Sequence, residues 1–179
     1  MTKSRFVLAC VLCVGLGSSL LAKDDNSLRF DGGIGVIPVS NVAVAANGAV
    51  TVSRNIVRGV NPPGQIWVID ALKAEVRGDE IRARGRGLLL GGGNNIGTNA
   101  GQSVFASLIC VVPQSSPQAF TVHSTPTAGV PLDASGDFRI DDVLTPAPPA
   151  DGCENPVLLI RNPGGAWFAA GIVQHDDDN

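Results

Sequence analysis

Beyond residue 23, no stretch of this chain repeats apolar residues at helical spacing over three turns. Short alternating or continuous apolar runs recur instead, parted by clusters of Gly, Pro and Asn. Side chains alternate between faces in a strand, so this is the pattern of half-buried strands joined by tight turns. It predicts an all-β domain over residues 23–179, an antiparallel β-sandwich or partly closed barrel of short hairpins. The 22 Gly and 12 Pro then serve turns, since they follow no collagen period. With 44% hydrophobic and 16% charged residues, the chain is also too apolar for a disordered one.

Asn47-Gly48, between runs at residues 42–46 and 49–53, predicts a two-residue hairpin turn with both central positions at positive φ. Further strands are expected at residues 104–112, 120–124, 137–141, 157–161 and 166–173. Asn61-Pro62-Pro63-Gly64 and Asn162-Pro163-Gly164-Gly165 punctuate the chain as turns. The Pro-rich residues 145–150 read as a loop crossing one end of the sheets.

Residues 67–90 are the most specific segment. A two-residue turn at Gly78-Asp79 places Val76 opposite Ile81 and Ala74 opposite Ala83, all facing inward. The outer face then sets Arg77 against Glu80 and Glu75 against Arg82, with Lys73 opposite Arg84 as a like-charge pair. Each opposite-charge cross-strand pair is worth about 0.2–1 kcal/mol.

The N-terminus reads as an address. Lys3 and Arg5 precede an apolar run at residues 6–22 with no acidic residue before Asp24, the layout of a secretory signal peptide over residues 1–22. Gly17 and Ser19 fit the small-residue cleavage rule better than Leu20 does in a cut after Ala22. A membrane anchor is the competing reading, weakened by Gly15, Gly17, Ser18 and Ser19. With the leader gone, no span of that length remains, and the location expected is secreted or periplasmic. Eleven basic residues then face sixteen acidic ones, a net charge of −5 instead of −3. An obligate nucleic-acid binder usually needs a basic surface, so none is expected here.

Cys10 and Cys13 leave with the leader, and Cys110 and Cys153 remain as a pair bound for an oxidising compartment. They are expected to form a disulfide. Neither has a CxxC partner or a neighbouring His, so a metal or thiol-nucleophile role has no support.

Candidate chemistry is sparse. Lys73, Arg77, Arg82, Arg84 and Arg86 form a basic ladder on the hairpin's outer face, while acidic residues gather later in the chain. Such a ladder binds a polyanion or an acidic region of another copy, or else keeps a strand face from pairing edge to edge. Arg77-Gly78-Asp79 also spells the tripeptide read by integrin-type receptors, although a Gly-Asp turn accounts for two of its three residues. Residues 91–101 read as a long irregular Gly/Asn-rich connection between strands; as a ligand loop, its backbone amides would cradle an anion and Asn94, Asn95 and Asn99 would suit sugar hydroxyls. The segment lacks the P-loop Lys and the GxGxxG spacing.

Only His123 and His175 exist, and no zinc or nucleophile-elbow motif accompanies them. His123 is expected on a strand's outer face; the acidic residues 175–179 form a solvated tail. Asp70 shares the inward parity of Leu72, unless the strand begins after it. Trp67 and Trp167 read as packing residues. These features predict an exported, non-catalytic binding or structural module with no cofactor or metal. Its partner would be a polyanion, a glycan or another copy. The alternative is a small secreted hydrolase using His123, marked by a pocket that brings a Ser or carboxylate to that ring.

Overall fold

The structure, a computed structural model, describes residues 27–174. The predicted leader and the acidic tail with His175 therefore lie outside the described residues. The described chain is all β and contains no helix, so no helix is long and apolar enough to cross a membrane. Its strands are β1 (Leu28–Gly35), β2 (Val39–Val44), β3 (Val50–Arg54), β4 (Trp67–Val68), β5 (Ala71–Arg77), β6 (Glu80–Arg86) and β7 (Leu89–Leu90). There follow β8 (Ser103–Val111), β9 (Phe120–Ser124), β10 (Val130–Pro131), β11 (Phe138–Val143), β12 (Glu154–Arg161) and β13 (Trp167–Val173).

Nine strands form one antiparallel sheet in the order β10-β8-β12-β13-β1-β5-β6-β11, with β9 also beside β8. The sheet curls into a half-barrel. Its edges meet at one bridge, where Ser124 and Thr145 exchange both backbone hydrogen bonds at 3.1 and 2.8 Å. Two small ribbons, β2–β3 and β4–β7, lie outside this sheet.

The β5–β6 hairpin has the register expected from its alternation: Val76 pairs with Ile81, Ala74 with Ala83, and Lys73 with Arg84. Gly78 takes a positive φ of 59°, as the first position of a type II′ turn requires. The alternation is visible in burial, β6 reading exposed and buried by turns along its seven residues. Inward residues of β5 and β6 join Phe30, Leu108, Leu158 and Ile160 in the core.

β1 is the seam of the sheet. Its first half pairs with β5, and past a bulge between Phe30 and Gly33 its second half pairs with β13. The sequence pattern omits this strand because Gly32, Gly33 and Gly35 break its alternation. Gly35 is there for close approach: a Cβ on it would overlap the Trp67 carbonyl oxygen. Trp67 stacks on Phe168 with centroids 4.1 Å apart, and Trp167 Nε1 donates to the Asn55 carbonyl at 3.0 Å, so both indoles are packing residues.

Cys110 and Cys153 are bonded, closing a 43-residue separation with Cα atoms 5.1 Å apart. A disulfide and the lack of a membrane-crossing helix among the described residues are compatible with an extracellular location.

Two local expectations need correction. The turn at Asn47-Gly48 is one residue longer than predicted, since Ala45 N–H bonds the Ala49 carbonyl and only Gly48 has positive φ. A three-residue loop with glycine in the left-handed position satisfies the same strand twist. His123 faces inward, not outward, because β9 pairs it with Leu108, whose side chain lies in the core.

Candidate functional site

The outer face of β1, β5, β6 and β11 carries the charges. Flat pairing brings one residue from each strand into a cross-sheet row, so the side chains of a row meet irrespective of sequence distance. One row runs Arg29, Glu75, Arg82, Asp141, and the next Asp31, Lys73, Arg84, Arg139.

The first row is compensated. Glu75 lies 2.7 Å from Arg77 and 3.5 Å from Arg29, while Asp141 lies 3.4 Å from Arg82 and 3.3 Å from Arg139. Arg77 holds the Glu75 carboxyl below its ordinary range through a hydrogen bond, partial burial opposes this, and Arg29 adds to the lowering. The ion pairs differ from those expected within the hairpin. Arg77 turns to Glu75 on its own strand instead of Glu80, and Arg82 turns to β11 instead of Glu75. For Arg82 the cause is that β6 is not an edge: β11 lies beside it and brings Asp141 opposite that side chain. Protecting an exposed edge is therefore not the ladder's role.

The second row is unbalanced. Asp31 pairs with Lys73 at 3.0 Å, but among the described residues neither Arg84 nor Arg86 has a carboxylate within ion-pair distance. Both border a groove of about 620 Å³ lined by Ala71, Lys73, Gly85, Pro131, Phe138 and Arg139, with Asp133 and Asp137 on its wall. That volume suits a small ligand or one repeat of a polymer. A second depression, of about 460 Å³, shares Lys73 and Arg84 with the first and continues past Arg29 and Arg82. The cationic surface is thus a track.

The wall carboxylates are occupied by backbone. Asp133 Oδ1 accepts from the amides of Ser135 and Asp137 at 2.8 and 2.9 Å, and Asp137 Oδ1 accepts from Gly87 N–H at 3.0 Å. Asn99 Nδ2 donates to the Leu132 and Asp133 carbonyls at 3.1 and 2.7 Å, which ties the Gly/Asn loop to the same wall. Asn99 therefore positions the groove, while Asn94 and Asn95 are exposed and do not line it.

Beneath the groove, Gly85 lies against the Phe138 ring, and a Cβ there would overlap it. Gly85→Ala must displace the ring, so a loss of about 1–3 kcal/mol is expected in urea unfolding. A midpoint equal to that of the unaltered protein would mean the ring has room to move.

The other singled-out residues lie elsewhere. Asp70 is exposed, β5 beginning at Ala71, and its carboxylate sits against Gly87. His123 is 3% exposed; its Nδ1 contacts the Pro146 carbonyl at 2.8 Å and its Nε2 the Thr121 hydroxyl at 2.9 Å. Among the described residues neither a serine nor a carboxylate is hydrogen-bonded to that ring. Among the described residues no three His, Cys, Asp or Glu side chains are grouped to hold a metal ion. Arg77-Gly78-Asp79 stands at the open barrel end, beside a cavity of about 800 Å³ roofed by Pro148 and Pro149 of the Pro-rich loop.

Arg58 and Arg161 are cations of a different kind. Arg58 donates to the Ile109 carbonyl at 2.7 Å and lies over Phe120; Arg161 donates to the Gly165 carbonyl and lies over Phe105. Burial lowers the pKa of both guanidinium groups. Their donors are engaged by the fold, which sets them apart from Arg84 and Arg86.

Sequence reasoning missed Arg29 and Arg139 as members of this face, and Phe138 as the ring beneath its groove. Arg139 falls within a strand the alternation does predict, but nothing local shows that β11 lies beside β6. The fold and face thus define a curled antiparallel half-barrel with a cationic outer track. The chain matches no protein-family model, no curated protein and no solved structure.

Proposed function

We propose that this protein is a non-catalytic binding module of the cell exterior whose ligand is an anionic polymer bearing sulfate or phosphate groups. The observation that carries this reading is the pair Arg84 and Arg86, which border a groove and have no carboxylate partner among the described residues, while their neighbours Lys73, Arg82 and Arg139 are paired. An arginine without a counter-ion keeps its planar fork of donors available, a geometry matched to sulfate and phosphate oxygens. Continuity of the two depressions favours an extended ligand over a single anion. The leader pattern of residues 1–22 and the disulfide support export.

Retention on a sulfated matrix and on a phosphate matrix tests the proposal. The double variant Arg84→Ala/Arg86→Ala is expected to lose on the order of tenfold in affinity at low ionic strength. The difference should shrink in 1 M salt, where the screening length is about 3 Å. Arg82→Ala should change retention less, because Asp141, shared with Arg139, offsets part of that side chain's charge. Equal losses for Arg82 and for the Arg84/Arg86 pair would indicate general charge attraction, not a site.

A further inference from the structure

A different surface carries an inference about partners. The β2–β3 hairpin projects from the half-barrel as an arm, and every residue of both strands is exposed. Residues 37–53 contain no charged side chain. Register places Val42 opposite Val52 and Val44 opposite Val50, so four valines form one face of the arm. They are 55–69% exposed. Asn41, Ser53, Ala43 and Thr51 form the opposite face. Ile37 and Ile56 extend the apolar surface at the arm's base, where Asn55 is bonded to the Ile37 and Pro38 carbonyls.

An isolated two-stranded ribbon is marginal in water and needs a third strand or a packing partner on its apolar face. Sheet edges exposed to solvent are ordinarily defended by charges or bulges; this arm has a bulge between Val39 and Asn41 and Arg54 at its base, but no charge from Asn41 to Ser53. Among the described residues, nothing covers the valines.

We propose that the occupant is the same arm of a second copy, the two valine faces meeting across a twofold axis. Three features favour this partner. The face is self-complementary, flat, β-branched and uncharged, so like meets like without repulsion, as an isologous contact requires. A charged partner would find nothing to pair with. The area suits a weak, reversible contact: with about 100 Å² per valine side chain, eight valines at these exposures remove roughly 500 Å² of apolar surface, and the isoleucines at the base add about half as much again. A bilayer fits less well, because strands of six and five residues fall short of the about nine to eleven a membrane-crossing strand needs.

Sedimentation velocity on the protein and on arm variants tests this. The unaltered protein should sediment as a dimer, and Val44→Glu should be monomeric with the β-type circular-dichroism spectrum of the half-barrel retained, its dimer affinity at least tenfold weaker. Thr51→Glu, on the opposite face, should stay dimeric. The proposal is overturned if the unaltered protein is a monomer at about 100 μM, where even a ~10 μM dimer would form. A dimer that survives Val44→Glu, or that Thr51→Glu disrupts equally, overturns it too. So does a monomer that sediments with phosphatidylcholine vesicles, which would assign the arm to lipid.

Discussion

Replacing Cys110 and Cys153 together by alanine is expected to lower stability by about 4 kcal/mol, the chain-entropy value for a loop of this length. In a domain of this size that corresponds to a melting temperature lower by roughly 10 °C or more. The bond ties the end of β8 to the chain entering β12 and encloses β9, β10 and β11. Those strands include both margins of the curled sheet, which are joined by the Ser124–Thr145 bridge. The bond acts on the unfolded chain, because in the folded sheet β8 and β12 are already held by their own ladder. Calorimetry of the double variant measures the effect. A shift of less than about 3 °C would show that the bond constrains the unfolded loop hardly at all.

Phe30→Ala should be comparably severe, costing about 3–5 kcal/mol. Phe30 is 2% exposed and sits where β1 changes partner, paired with Ala74 on one side and Val173 on the other. Its ring also fills the place left by Gly171, whose Cβ position lies 3.2 Å from Phe30 Cδ1. Truncation opens a cavity at the seam, and neither neighbour is large enough to refill it. Ile34, four residues on but 57% exposed, is the contrast: Ile34→Ala should stay within about 0.5 kcal/mol of the unaltered protein. Urea unfolding at equal slope for both variants checks the pair. Equal midpoints would contradict the placement of β1 in the sheet interior.

The strands readable from the chain are those whose two faces see different environments. β5 and β6 alternate because one face meets the core and the other meets water, so parity and the Gly78-Asp79 turn were enough to assign register residue by residue. β8 offered only a continuous apolar run, since seven of its residues are buried, yet its length still marked it as a strand. β1 was not readable. The glycines that let it approach Trp67 and Leu72 erase the alternation that would announce it.

The site divided in the same way. Arg84 and Arg86 stood out from local sequence alone, because they belong to one strand. Their lack of carboxylate partners was not readable, since Asp141, Asp31 and Arg139 arrive from β11 and β1 by long-range pairing. His123 shows the opposite failure: a polar residue in a short strand suggested solvent, and tertiary pairing with Leu108 turned it inward. Asn99 resembled a ligand contact from composition but is consumed by the Leu132 and Asp133 carbonyls.

Titration of a sulfated oligosaccharide into isotopically labelled protein, followed by NMR, tests the central claim most directly. Binding should perturb the side-chain Nε–H signals of Arg84 and Arg86 together with the amides of Lys73, Gly85 and Arg139. The shifts should weaken steeply with added salt, while Arg58 and Arg161 stay unmoved. Perturbations spread evenly over all arginines, or none at the Arg84 and Arg86 groove at low ionic strength, would contradict the account.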